Sequence, residues 1–228
     1  MQPMVAEDQA YHTIKKRIVT AQLKPGTRLV HRKLAAELGM SPIPVVLALR
    51  LLERDGLVVN MPGMGAYVRT WNYDEVVDLY HIRASLEGLA AQLCAERATR
   101  VDMAKILDAK EAYESALKQG EFETIIEADA QFHLSVVNGA HCDYLETMVN
   151  NLSIVNFSIR MVHYYLEEPQ PTFSSEPIWV HTHIVEALKN RDATAASIAA
   201  KEHIEASLQF NLKLFGQKSQ IAVDADAA

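Results

Sequence analysis

Between residues 9 and 68 the chain is punctuated so closely that few topologies accommodate it. Tyr11, Ile14, Ile18 and Val19 recur at helical spacing, with Lys15, Lys16 and Arg17 mainly off that stripe, so 9–23 reads as a first helix. Lys24-Pro25-Gly26 stops it, because proline cannot continue a helix and glycine supplies the turn. A second helix covers 32–38 and closes at Gly39. Ser41-Pro42 reads as an N-cap followed by proline at the first helical position. Val45, Ala48, Leu49 and Leu52 give that third helix its buried stripe, and Gly56 ends it. Leu57-Val58-Val59 and Ala66-Tyr67-Val68 are β-prone runs joined by Asn60-Met61-Pro62-Gly63-Met64-Gly65, the grammar of a small hairpin. Three short helices followed by a hairpin form a winged helix-turn-helix, in which the third helix enters the major groove and the hairpin lies along the backbone or minor groove.

Beyond Trp71 the pattern changes to helical periodicity alone. Helices are expected near 74–96, 101–118, 124–138, 143–166, 174–189 and 193–215, separated by Gly120, Gly139, the Pro169 to Pro171 stretch and Asn190 to Asp192. The expected fold class is mainly α: a winged helix-turn-helix with a small β-hairpin over 1–70, an all-helical bundle over 71–220, and a disordered tail over 221–228.

Charge divides the same way. The net charge of −7 hides a head, residues 1–70, with ten Lys/Arg against five Asp/Glu, and a remainder with twelve against twenty-four. A basic head on an acidic body suits a polyanion-binding module carried by a regulatory domain. Cys94 and Cys142 show no CxxC spacing, which disfavours a disulfide framework or a thiolate zinc site. No run approaches the roughly 20 apolar residues of a membrane span, and no secretory leader pattern opens the chain, so a cytoplasmic protein without a membrane partner is expected.

These residues resemble the GntR superfamily in its FadR-like branch, with an FCD sensor domain. In the head, the resemblance runs through Leu23-Lys24-Pro25-Gly26-Thr27-Arg28-Leu29, Leu34-Ala35-Ala36-Glu37-Leu38-Gly39-Met40-Ser41, Pro44-Val45, Ala48-Leu49-Arg50 and Leu52-Glu53-Arg54-Asp55-Gly56-Leu57-Val58. In the body, Leu79-Tyr80-His81-Ile82-Arg83-Ala84-Ser85-Leu86-Glu87 resembles the opening sensor helix; Asp129-Ala130-Gln131-Phe132-His133 and the stretch 181–203 resemble the metal-binding helices. The resemblance implies a homodimer on a double-stranded DNA operator, switched by a small effector. It also exposes a departure: Pro42 and Val46 stand where the family usually places DNA-contacting arginines, and Leu47 replaces an acidic residue. The groove-facing surface is expected to be apolar at Ile43, Val46 and Leu47, while Arg32, Lys33, Arg50 and the wing can supply phosphate contacts. The DNA-binding set is thus Arg32, Lys33, Ser41, Ile43, Val46, Arg50 and Gly65. A face contacting the sensor domain or a dimer partner is the alternative for Ile43, Val46 and Leu47.

Asp129 and His133 lie one helical turn apart, so carboxylate and imidazole emerge on one face. Alone, such a pair is as well explained by a surface ion pair or by helix-dipole complementation. His181 and His203 fall where the resembled family supplies further ligands, implying a three-His, one-Asp site for a divalent ion such as Zn²⁺, Ni²⁺ or Mn²⁺. His183 lies two positions on and faces elsewhere; His163 and His141 read as surface or satisfied interior histidines. Arg83 either pairs with Glu87 within its helix or captures the carboxylate of a small organic acid.

The function expected is a ligand-responsive DNA-binding transcription regulator, repression being the commoner sign, and not an enzyme. Two alternatives remain: a metal-dependent enzyme using the His/Asp site, disfavoured for want of a separately placed general base, and an interaction module with a degenerate winged helix.

Overall fold

The computed structural model describes residues 6–166 and 179–215. Its elements run α1 (Ala6–Val19), β1 (Arg28–Leu29), α2 (His31–Leu38), α3 (Pro42–Arg54), β2 (Val58–Met61), β3 (Gly65–Val68), α4 (Tyr73–Arg97), α5 (Arg100–Gln119), α6 (Phe122–Gly139), α7 (Asp143–Leu166), α8 (Trp179–Lys189) and α9 (Ala193–Phe215). A mainly α fold with a small sheet results. The chain groups into two compact units, one holding the described residues through Trp71 together with 158–166, the other the remaining described residues.

In the first unit α1 packs against α3. The buried faces are Ala10, Ile14 and Ile18 on α1 and Val45, Ala48, Leu49 and Leu52 on α3. Tyr11 Oη donates to the buried Asp55 carboxylate at 2.6 Å and ties α1 to the end of α3. Burial and that acidic partner raise the Tyr11 phenol above its ordinary range. β2 and β3 form the expected hairpin in the register Val58↔Val68 to Met61↔Gly65. β1, which the sequence pattern does not announce, adds antiparallel to β3, giving the order β1-β3-β2.

Two expectations need correction. The first helix ends at Val19, not near Leu23, because Ala21 turns to a φ of +52°. Ser41 occupies the N-cap position of α3, but its side chain makes no capping bond. Proline fills the first and third helical positions, and Pro44 at the third removes one of the two amide donors that a cap hydroxyl would take. The expected start of the penultimate helix at 174 and the tail 221–228 lie outside the described residues.

In the second unit α4 lies along α9, α5 along α6, and α8 along α9. Capping boxes fix two helix starts: Asn72 with Glu75 opens α4, and Thr99 with Asp102 opens α5. The core joins Ala91 and Cys94 of α4, Phe132 and Val136 of α6, Ile184 and Leu188 of α8, and Ala196 and Ala200 of α9. α4 and α9 fit tightly at Gly88, where an added Cβ would lie 2.8 Å from Lys201 Cγ and 2.6 Å from its Cε. Among the described residues no single helix is long and apolar enough to cross a membrane.

Candidate metal centre and nucleic-acid interface

The one-turn spacing on α6 sets Asp129 and His133 side by side, with His133 Nε2 3.6 Å from Asp129 Oδ1. α8 brings His181 Nε2 to 3.4 Å from the same oxygen. α9 adds His203, whose Nε2 lies 3.2 Å from that of His181 and 3.0 Å from that of His133. All four residues are buried, and their ligand atoms lie within 4.8 Å of one another. Four helices' worth of sequence is not needed for this: three helices suffice, because two donors share α6.

For a metal–ligand length of about 2.1 Å, neighbouring ligands stand about 3.0 Å apart in an octahedral shell and about 3.4 Å apart in a tetrahedral one. The separations of 3.0, 3.2, 3.4 and 3.6 Å fall around that range. Three imidazoles and a carboxylate therefore fit a divalent borderline ion.

Support comes from α4. His133 Nδ1 donates to Glu87 Oε2 at 2.6 Å, which fixes the tautomer that turns the Nε2 lone pair toward the cluster. Glu87 Oε1 in turn accepts from Arg83 Nε at 2.9 Å, and the Arg83 Cζ stacks 5.0 Å from the Tyr80 ring centroid. Burial penalises the Glu87 carboxylate, but the Arg83 guanidinium and His133 outweigh that and hold it near about 2. Burial likewise opposes an imidazolium at His133, yet Glu87 and Asp129 push it up to about 9. Burial and the facing rings of His181 and His133 keep His203 well below its ordinary range, hence neutral. Phe132 stacks on His181 at 4.0 Å between centroids and walls the cluster from the core. The adjoining cavity, lined by Glu87, His133, Val136 and Ile184, measures about 10 Å³, room for one water.

The structure thus joins the four expected ligands at one point and places Arg83 behind Glu87, paired within its helix. The sequence pattern does not announce Glu87 as a partner of His133. His183 is exposed, as is His141, which meets Asp102 at 2.9 Å; burial pushes half-buried His163 down to about 4. Cys94 and Cys142 are free thiols.

In the first unit the exposed face of α3 runs through Ile43, Val46, Leu47 and Arg50, at one-turn spacings opposite the buried stripe. Ile43 is 71% exposed and Leu47 36%. Ser41, Arg32, Lys33 and Arg50 are exposed as well. Gly65 opens β3 at a φ of +98°, a conformation that requires glycine, and Arg28 of β1 lies against it. A groove of about 370 Å³ between α3 and the sheet is lined by Arg28, His31, Val46, Arg50, Asn60 and Gly65. Arg28 joins this basic rim unpredicted, because its strand is only two residues long.

Comparison with known proteins matches residues 6–68 to the gntR family of bacterial regulatory proteins and residues 78–206 to the FCD domain. The HTH-type transcriptional regulator McbR of Escherichia coli (strain K12) is 30% identical over 188 residues, covering 81% of this chain and 82% of the relative. The HTH-type transcriptional regulator YdhC of Bacillus subtilis (strain 168) is 29% identical over 197 residues, covering 86% and 84%. The solved structure of E. coli McbR/YncC superposes with a TM-score of 0.75 at 26% identity, covering 94% of this chain and 99% of that one. Families and relatives alike are transcriptional regulators rather than enzymes. The chain belongs to the GntR family of bacterial regulatory proteins, its winged helix followed by an FCD domain, and is a DNA-binding transcription regulator.

Proposed function

We propose that residues 71–220 hold a divalent metal ion, sense a small organic acid and pair two copies of the chain, and that the regulator acts as a repressor released by its effector. The observation that carries this reading is the buried cluster of Asp129, His133, His181 and His203, backed by Glu87 and Arg83. Those four residues would hold the ion. An ion such as Zn²⁺, Ni²⁺ or Mn²⁺, if bound there, would supply Lewis acidity toward a carboxylate. Arg83 spends its Nε on Glu87, leaving the terminal guanidinium nitrogens to fork onto the acid. The adjoining space of about 10 Å³ holds no organic acid, so admission requires the surrounding helices to give way, and that displacement is what the head reads. Repression is supported by a relative, the HTH-type transcriptional repressor RspR of Escherichia coli (strain K12), 23% identical over 197 residues. Pairing is supported by the two-fold logic of half-site recognition.

Protein purified without chelator should carry close to one equivalent of a first-row divalent metal, and a His133→Ala/His181→Ala variant almost none. Organic acids that raise the melting temperature of the native chain should lose that effect in Arg83→Ala. Equal and negligible metal in both proteins would remove the metal reading. Undiminished stabilisation in Arg83→Ala would remove Arg83 from the effector site.

A further inference from the structure

The recognition helix has a composition that narrows what DNA it can read. Its exposed face is apolar for its first two turns: Ile43, Val46 and Leu47 stand there, flanked by Pro42, and the first charged side chain on that face is Arg50. Base edges are read chiefly by the N-terminal residues of such a helix. Guanine is normally selected by a bidentate arginine or lysine, and adenine by asparagine or glutamine. None of those types occupies the leading turns. The one major-groove feature that an isoleucine, valine or leucine recognises is the thymine 5-methyl group. The surrounding charge excludes a purely apolar partner: Arg28 and Arg50 line the groove beside Val46, and Arg32 and Lys33 are exposed on α2, in a head with ten Lys/Arg against five Asp/Glu.

We propose that this regulator selects its operator through thymine methyl groups, packed against Ile43, Val46 and Leu47, while Arg28, Arg32, Lys33 and Arg50 hold the flanking phosphates. The inference rests on the head being the DNA-binding unit and adds the sequence class it recognises. Half-sites should present thymines, on either strand, under the first two turns of α3. They should lack an obligatory guanine there.

Replacing thymine by uracil tests this, because the methyl is deleted while every hydrogen-bonding group stays. Duplexes selected from a random library by the full-length protein are resynthesised with deoxyuridine at single thymines. At each contacted position affinity should drop about fourfold, the worth of one buried methyl. An Ile43→Ala/Val46→Ala protein should show a thymine-to-uracil ratio near one on the same duplexes. Ile43 is exposed and Val46 half-buried, and an unchanged melting temperature verifies the fold. Equal binding of thymine and uracil duplexes by the native chain would overturn the inference while leaving DNA binding intact. So would an Ile43→Ser/Leu47→Ser protein that keeps its ratio but loses its native solution mass, which would assign the face to contacts between copies. Failure to bind any duplex saturably at low salt would instead overturn the reading of the head itself.

Discussion

Glu87 divides one carboxylate between two cations, taking Arg83 on Oε1 and His133 on Oε2. A carboxylate behind a ligating imidazole both aims the ring and strengthens it as a donor. Glu87→Gln keeps an acceptor and the volume but removes the charge, and metal affinity should fall about 10- to 100-fold by competition with a chelating dye. Glu87→Ala goes further: it strands the buried guanidinium of Arg83, so lost stability of about 3 kcal/mol or more should accompany the lost metal in urea unfolding. The pH response follows from His133. With its pKa raised to about 9, the metal-free protein carries a proton on that ring at neutral pH, and a metal has to displace it. Apparent metal affinity should therefore climb about tenfold per pH unit between about pH 6 and 8. A flat profile would show that His133 is neutral before the metal arrives. At this scale the sequence was half legible. Asp129 and His133 announce themselves by their spacing on one helix, whereas the Glu87–His133 contact joins α4 to α6 and leaves no periodic trace, and the i,i+4 relation to Arg83 already accounts for Glu87.

Among the elements, helix starts differ in what holds them. Asn72 Oδ1 accepts from Glu75 N at 2.8 Å and Glu75 Oε2 accepts from Asn72 N at 2.9 Å, whereas Ser41 makes no side-chain cap bond. Asn72→Ala should cost about 1 kcal/mol in chemical denaturation, and Ser41→Ala only a few tenths. Any larger loss of DNA affinity in Ser41→Ala then reports a phosphate contact instead of a fold defect. Helix existence was readable because stop signals coincide with changes of periodicity. The apolar pattern of α1 runs past its end at Val19 because Ala21 and Leu23 remain buried after the backbone has turned. β1 was invisible for the opposite reason: Arg28 and Leu29 are too few to show alternation, and only pairing with Tyr67 and Ala66 makes them a strand.

For the molecule as a whole, the division of charge predicts a division of labour. The head carries the excess of cations, so binding to duplex should weaken steeply with salt, and Arg32→Ala or Lys33→Ala should each lower the slope of log K against log salt by about one, on operator and random DNA alike. Fluorescence anisotropy at four or five salt concentrations measures it; an unchanged slope in both variants would take α2 off the phosphate backbone. The fit of α4 on α9 has a consequence of a different kind. Lys201 covers Gly88 one residue after Glu87 and two residues before His203, and its stem fills the room that a methyl group at position 88 would occupy. A single carbon added there would force the exposed Lys201 stem off its place on α4, two residues from His203, without touching a donor atom. Chemical silence at a position is thus no measure of its influence, and tolerance of substitution at 88 is set by the width of one lysine stem.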